Sequence, residues 1–151
     1  DDRRRAGGRG MTARIPRSVD VPVPDVGTSW LFWMDEIEDT WDAAASELFD
    51  AFRGSREAAI SESSIVFIVR NDDLIGRSGL TRAMVSSGLV SGARTAALEG
   101  ARKGWTCNVI AYDVEVPGEV VIDKALWVLD DGSITGELIH LGPGHIGKAL
   151  I

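Results

Sequence analysis

The stretch Thr95–Ala111, TAALEGARKGWTCNVIA, joins the end of a helix directly to a strand. In its first half the basic pair Arg102 and Lys103 precedes Gly104, and these residue types are typical of a helix C-terminus. Its second half, from Trp105, is a short apolar run of strand length, as found in strands buried on both faces of a parallel sheet. A helix that leads straight into such a strand indicates an α/β fold.

Helical and strand-like segments alternate along the rest of the chain. The segment VDVPVPDVG around Asp20 alternates apolar and other residues, and its prolines lack an amide donor, so this strand can lie only at a sheet edge. Crossovers of a dozen or more residues imply right-handed parallel units, and therefore a three-layer α/β domain with a mostly parallel sheet of about four strands. The predicted elements are strands around Asp20 and over Ser64–Val69, Trp105–Ala111 and Glu137–Leu141, and helices over Glu36–Ile60, Gly79–Lys103 and Glu119–Val128.

The two longest predicted helices carry patterns suited to packing. Asp35 is the expected N-cap of the first, whose apolar residues recur at three- and four-residue steps as a single stripe. The second is rich in small residues, and each glycine costs such a helix about 1 kcal/mol relative to alanine. We therefore expect another backbone to approach this helix closely.

Five large apolar residues, Trp30–Met34, stand in a row before the first long helix. Five such side chains in succession are not expected to face inward from one element. Some of them are therefore predicted to contact another chain or to fold back over the sheet edge.

Charge and composition limit the possible partners. The formal net charge is −7, and the first ten residues, with four arginines and two aspartates, contribute +2, which leaves −9 for the rest. An acidic body argues against nucleic acid or an anionic membrane as partner. Residues 1–18 are predicted to be a disordered basic leader, followed by a single domain over residues 19–151. A single cysteine, Cys107, and the lack of an apolar run of about 20 residues favour a cytoplasmic protein.

The segment TAALEGARKGWTCNVIA resembles the helix-to-strand segment of the short-chain dehydrogenase/reductase family, in which ALELAPKGIRVNVVAPG is typical. In the same order, EIEDTWDAAASELFDAFRGSREAAI, SSIVFIV and GSITGELIHLGPGHIG resemble that family's fourth helix, fifth strand and closing strand. The resemblance implies a Rossmann-like partial domain that lacks the N-terminal dinucleotide-binding half. That half carries the glycine-rich turn for the pyrophosphate, so no cofactor is expected.

The resemblance also places the family's catalytic residues on this chain. The asparagine, serine, tyrosine and lysine positions fall on Leu48, Val69 (or Arg70 if the register slips by one), Arg82 and Ser86. An arginine cannot act as a neutral acid near neutral pH, and a serine carries no charge. The resemblance therefore implies that carbonyl reduction by the family mechanism is lost, and the expectation leans against an enzyme.

Five other groups of residues are candidates for a function. The run GPGHIG, Gly142–Gly147, fits a nucleotide fingerprint but lacks a following helix, so it is predicted to be a turn after the closing strand. His140 and His145 do not share a face, so no metal site is expected. Cys107 is predicted to be an inert core thiol, and Asp72 with Asp73 a solvated loop pair. Arg82, together with Arg70, is a candidate for anion binding.

In the short-chain dehydrogenase/reductase family the two matched helices pair across a two-fold axis. The resemblance thus implies a non-catalytic subunit that oligomerises through these helices, with itself or with a full-length dehydrogenase/reductase, which it stabilises or regulates. One alternative is a homodimeric binding module that holds an anionic or acyl-thioester metabolite in the vacated cleft, and a further one is a divergent oxidoreductase. The expected interface residues are Trp41, Leu48, Phe52, Gly88, Gly92 and Ala96.

Overall fold

A computed structural model describes residues 13–144 of the chain and the backbone of residues 3–6. Six strands and four helices follow one another in this part of the chain. The strands are β1 Arg3–Ala6, β2 Ala13–Pro16, β3 Trp30–Trp33, β4 Ile65–Arg70, β5 Cys107–Tyr112 and β6 Leu138–Leu141, and the helices are α1 Trp41–Ile60, α2 Asn71–Leu74, α3 Leu80–Ala101 and α4 Gly118–Asp130.

The strands form one sheet in chain order, from β1 to β6. β1 pairs with β2 in antiparallel fashion, and all pairs from β2 to β6 are parallel. The predicted α/β architecture with a mostly parallel sheet is confirmed. The parallel part of the described sheet has five strands, β2 to β6, where about four were predicted.

Helices cover both faces of the sheet. α1 and α3 pack on one face, over the aromatic residues Trp30, Phe32 and Phe67. α4 packs on the other face, over Leu31 and Trp33 among others. Since alternate residues of a strand point to opposite faces, each central strand contributes to both cores.

The crossovers do not all have the same hand. The chain advances from β3 to β6 in one direction across the sheet, but α4 lies on the opposite face from α1 and α3. The β5–α4–β6 crossover therefore has the opposite hand to the other two, and the prediction of uniformly right-handed units was wrong. The inward face of α4, formed by Val121, Ala125 and Val128, fills the second core, which would otherwise be uncovered.

The first central strand lies later in the sequence than predicted. The proline-containing segment around Asp20 forms no strand, and Trp30–Trp33 pairs with β2 on one side and β4 on the other. A strand in the middle of a two-faced sheet can bury every side chain, and the residues from Trp30 to Met34 are all at most 2% exposed. The expectation that some of them leave the core was therefore wrong.

Two parts of the predicted disordered leader, residues 3–6 and 13–16, form the strands β1 and β2. β2 lies within residues 1–18, and its Arg14 is 1% exposed. The basic composition was misleading because the partners of Arg14 are Glu47 and Asp50, more than thirty residues away in the sequence. Residues 1, 2 and 7–12 lie outside the described part of the chain.

The link between β2 and β3 packs through its valines. Val21 is buried, and Val19, Val23 and Val26 lie partly buried against the core under α4. The alternation of apolar and other residues that predicted an edge strand therefore reflects how the extended connection between β2 and β3 packs on the core. A Cβ on Gly118 would lie 3.0 Å from a Val21 methyl group, so this connection lies against the start of α4.

Helix α1 begins five residues later than predicted. Thr40 is its N-cap, and the Thr40 hydroxyl accepts a hydrogen bond from the Ala43 amide at 3.1 Å. The predicted single apolar stripe is divided between two faces. The inward face consists of small residues with two carboxylates, whereas Trp41, Leu48 and Phe52 point outward. The inward residues are Ala44, Glu47, Asp50, Ala51, Gly54 and Ala58.

Two glycines allow helices to lie close to tryptophans. A Cβ on Gly54 of α1 would overlap the Trp30 ring, and one on Gly100 of α3 would overlap Trp105. α3 otherwise has nearly the predicted bounds. Over the described residues, no helix is both long and apolar enough to cross a membrane.

Candidate functional site

Three side chains meet where neighbouring parallel strands end, the edge at which open α/β sheets bind ligands. Trp33, Arg70 and Tyr112 close β3, β4 and β5, and Arg70 and Tyr112 are register partners. Trp33 Nε1 donates to the Tyr112 hydroxyl at 3.0 Å, and the two rings meet edge to face at 5.2 Å between centroids. These aromatic rings form a fixed floor on the α4 face of the sheet.

A cleft of about 470 Å³ lies above this floor. One wall is the chain after β2, from Pro16 to Asp20, and the other is the chain that leads into α4, up to Glu119. Arg70 and Glu36 both line the cleft and form an ion pair with each other. The size lies within the range of small-molecule sites, about 300–1,000 Å³.

Burial raises the pKa of the Tyr112 phenol, and the Trp33 hydrogen bond and the nearby Arg70 oppose that shift. Removing a phenol from water disfavours its charged form, so Tyr112 keeps its proton at neutral pH. The Tyr112 hydroxyl is therefore a hydrogen-bond donor at the cleft.

Buried polar groups follow β4 in the one-turn helix α2. Asp73 is 1% exposed and Asn71 is 3% exposed. Among the described residues, no group makes a well-formed hydrogen bond to either Asp73 oxygen or to Asn71 Oδ1. Burial raises the pKa of Asp73, although Ser78, Arg70 and Arg82 favour its charged form. Asp72 and Asp73 were predicted to be a solvated loop pair. Asp72 instead forms an exposed ion pair with Arg77, whereas Asp73 is buried.

The closing strand ends in a turn that wraps around a carboxylate. Asp113 accepts hydrogen bonds from the Gly144 amide at 2.5 Å and from His140 Nε2 at 3.1 Å. The Gly144 hydrogen bond, followed by His140, lowers the pKa of Asp113. Gly142 has a φ of +116°, and a Cβ on it would lie 2.6 Å from Asp113 Oδ2.

The glycines of the GPG turn are therefore required by close contact with a carboxylate. His140 pairs with Asp113, while His145, Ile146 and Gly147 lie outside the described part of the chain. Within residues 13–144, no three His, Cys, Asp or Glu side chains gather in a metal-binding arrangement.

The four positions matched to family catalytic residues do not line the cleft. Val69 and Ser86 are fully buried, and the Ser86 hydroxyl donates to the carbonyl of Arg82 at 2.8 Å. Arg82 Nε donates to the Ile37 carbonyl at 3.0 Å. Leu48 lies on the outward side of α1. Of the two arginines predicted as candidates for anion binding, Arg70 lines the cleft and Arg82 does not.

A second depression, a mostly apolar groove of about 640 Å³ whose lining also includes Arg56, Glu99 and Lys103, runs between α1 and α3. We call it the α1–α3 groove. Phe52 is 61% exposed beside it, and Gly88 and Gly92 are exposed in its floor. Of the expected interface residues, Trp41 lies outside its lining, and the others, Leu48, Phe52, Gly88, Gly92 and Ala96, line it.

Cys107 is buried in β5, where burial raises the pKa of its thiol to about 12. A thiol with that pKa contains almost no nucleophilic thiolate at neutral pH. This position fits the predicted inert core thiol.

Sequence reasoning missed the residues that form the cleft floor and its neighbours. Tyr112 and Asp113 follow directly from the end of a predicted strand, so the rule that ligands bind at the carboxyl ends of parallel strands could have identified them. Trp33 was missed because β3 was placed in the wrong segment.

No protein-family model matches the chain, and no curated protein sequence matches it. Many solved structures share its fold, and two of them illustrate the likeness. One is a protein from Burkholderia xenovorans assigned to the short-chain dehydrogenases/reductases, with a TM-score of 0.64, 15% identity, and coverage of 74% of this chain and 60% of that chain. The other is a 4-hydroxyisoleucine dehydrogenase complexed with NADH and succinate, with a TM-score of 0.60, 15% identity, and coverage of 75% and 66%.

The described structure thus has a Rossmann-like fold of the short-chain dehydrogenase/reductase type. At 15% identity the likeness concerns the fold alone. The chain spans 60% and 66% of the length of these two structures.

Proposed function

We propose that this chain is a non-catalytic subunit that oligomerises through α1 and α3, with a full-length dehydrogenase/reductase as the favoured partner, which it stabilises or regulates. The observation that supports this proposal is the α1–α3 groove with its exposed apolar rim. Large apolar side chains exposed together on one surface are typical of protein–protein contacts.

The rim and the floor of the groove complement each other. Leu48 and Phe52, 39% and 61% exposed, project from α1 at the rim, whereas the floor on α3 includes Gly88 and Gly92. A Cβ on Gly88 would meet only Leu48, at 3.7 Å, and one on Gly92 would meet nothing within 4 Å. These glycines are therefore not required by packing within the chain. Their space would let a partner helix approach closely.

The non-catalytic role is supported by the residue types at the matched positions. A fully buried valine at residue 69 and a serine whose hydroxyl bonds within its own helix supply no acid or base. An arginine at residue 82 does not supply the neutral acid that the family's tyrosine supplies to a carbonyl. A family member with these residues is proposed to act through association and not through hydride transfer.

The experiment is co-purification of tagged chain from its native cells, with native mass spectrometry of the product. We expect a dehydrogenase/reductase in fixed stoichiometry with the tagged chain. Gly88→Leu and Gly92→Leu should abolish its recovery, because a leucine would fill the groove, while the unfolding midpoint of each variant stays at or above that of the parent chain, since leucine favours a helix more than glycine does.

Gly132→Leu is the matched control. Gly132 is exposed after α4, and a Cβ there would also meet nothing within 4 Å, so this variant should retain the partner. Recovery of the same partner with both groove variants would exclude the groove as the interface. A homo-oligomer that contains no dehydrogenase would exclude the proposed partner.

A further inference from the structure

The Tyr112 hydroxyl has an unused proton at the cleft. It accepts from Trp33, and among the described residues no group accepts the hydrogen bond that it can donate. The side chain is 9% exposed and lines the cleft. A phenol hydroxyl can accept one hydrogen bond and donate another, so the proton of Tyr112 is available to an acceptor oxygen at this point of the cleft.

The charge around the cleft is negative. Its lining contains the carboxylates of Asp20, Glu36 and Glu119 and one guanidinium, Arg70, which leaves a net charge of −2. Arg70 is already paired with Glu36. A cleft whose lining carries a net charge concentrates ligands of the opposite charge. This negatively charged cleft therefore attracts cations and repels phosphorylated or other multiply anionic compounds.

The remaining lining suits a short carbon chain. Tyr112, above the buried Trp33, supplies aromatic surface, which attracts ammonium groups, and Val19, Val114 and Val116 supply aliphatic walls. The charge balance therefore disfavours the anionic or acyl-thioester ligand predicted from Arg70 and Arg82.

We infer that the cleft above Trp33 and Tyr112 binds a small organic ammonium ion that carries an acceptor oxygen. The oxygen accepts from the Tyr112 hydroxyl, and the ammonium group lies toward Asp20 and Glu119. Because the cleft and the α1–α3 groove lie on opposite faces of the sheet, this inference stands independently of the proposed oligomerisation.

Three compounds of similar length test separately whether the ligand needs an ammonium group and whether it needs an acceptor oxygen. N-acetylputrescine carries an ammonium group and a carbonyl oxygen, 4-acetamidobutanoate replaces the ammonium group by a carboxylate, and hexylamine keeps the ammonium group but has no acceptor. Titration calorimetry should show binding of N-acetylputrescine. Hexylamine should bind about two- to tenfold more weakly, the worth of one net hydrogen bond, and 4-acetamidobutanoate should also bind more weakly because its charge is reversed. Bound N-acetylputrescine should also shift the indole N–H resonance of Trp33.

Two variants test the residues. Tyr112→Phe should remove the preference for N-acetylputrescine over hexylamine, and Glu119→Gln should weaken both amines. Glu119 is exposed, so its substitution does not endanger the fold. Glu57→Gln, an equally exposed change on α1, should leave binding of both amines unchanged.

The inference is overturned if N-acetylputrescine shows no binding at ~10 mM, far above the dissociation constants of specific sites. It is also overturned if the carboxylate analogue binds as tightly, or if Tyr112→Phe keeps the preference. Gly88→Leu, which tests the α1–α3 groove, should bind N-acetylputrescine like the parent chain.

Discussion

The buried environment of Asp73 disfavours its charged form. It is 1% exposed, and among the described residues neither oxygen has a well-formed hydrogen bond. Burial raises the pKa of this carboxyl above its usual value of 3.8, so the folded chain holds the proton at pH values where the unfolded chain has released it. The stability of the fold therefore falls as the pH rises from the usual value through the raised one.

Asp73→Asn should stabilise the protein at neutral pH, because the amide cannot ionise. We expect a gain on the order of 1 kcal/mol, the size of a typical single-site effect, that disappears toward about pH 3, where the carboxyl is protonated in both states. Urea unfolding at a series of pH values measures it. Asp72→Asn is the control, since Asp72 is partly exposed and should show little change. A gain that is equal at all pH values would contradict the account.

At the scale of elements, β2 is tied to α1 by a buried ion pair. Arg14 Nη1 donates to Glu47 at 3.0 Å and to Asp50 at 3.5 Å, and Nη2 donates to the Trp33 carbonyl at 3.0 Å. The guanidinium also lies 3.8 Å from the centroid of the Phe32 ring. Breaking one side of such a pair leaves uncompensated buried charge.

Arg14→Met should lower the free energy of unfolding by about 3–5 kcal/mol, because Glu47 loses its counterion in the core. Replacing both members, with Glu47→Met added, should recover part of that loss. Denaturant unfolding gives both values, and Arg94→Met, on the exposed side of α3, should cost little. If residues 1–18 were the predicted disordered leader, Arg14→Met would have no effect.

The elements show which patterns in the sequence determine structure. β4, α3, β5, α4 and β6 were predicted nearly correctly because local periodicity and glycine stops decide them. Arg14 and the segment around Asp20 were misread because burial of a charge, or of extended valines, depends on residues distant in the sequence. The interface residues on α1 and α3 were proposed from a family resemblance, while the cleft at Tyr112 required the strand order.

On the scale of the whole molecule, charge and apolar surface act in opposite directions on assembly. The chain carries a net charge of −7, so acidic partners repel it at long range, whereas the α1–α3 groove presents apolar surface. Salt screens charges over about 10 Å at 0.1 M and about 3 Å at 1 M, but does not weaken apolar contacts.

The proposed complex should therefore withstand salt. When the tagged chain is washed at about 0.1 M and about 1 M NaCl, the amount of partner retained should be equal or greater at the higher concentration, because screening removes repulsion and leaves the apolar contact. Surface ion pairs between the subunits would contribute only about 0–1 kcal/mol each, too little to reverse this trend. Loss of the partner at high salt would mean that charge pairs, and not the apolar groove, hold the complex together.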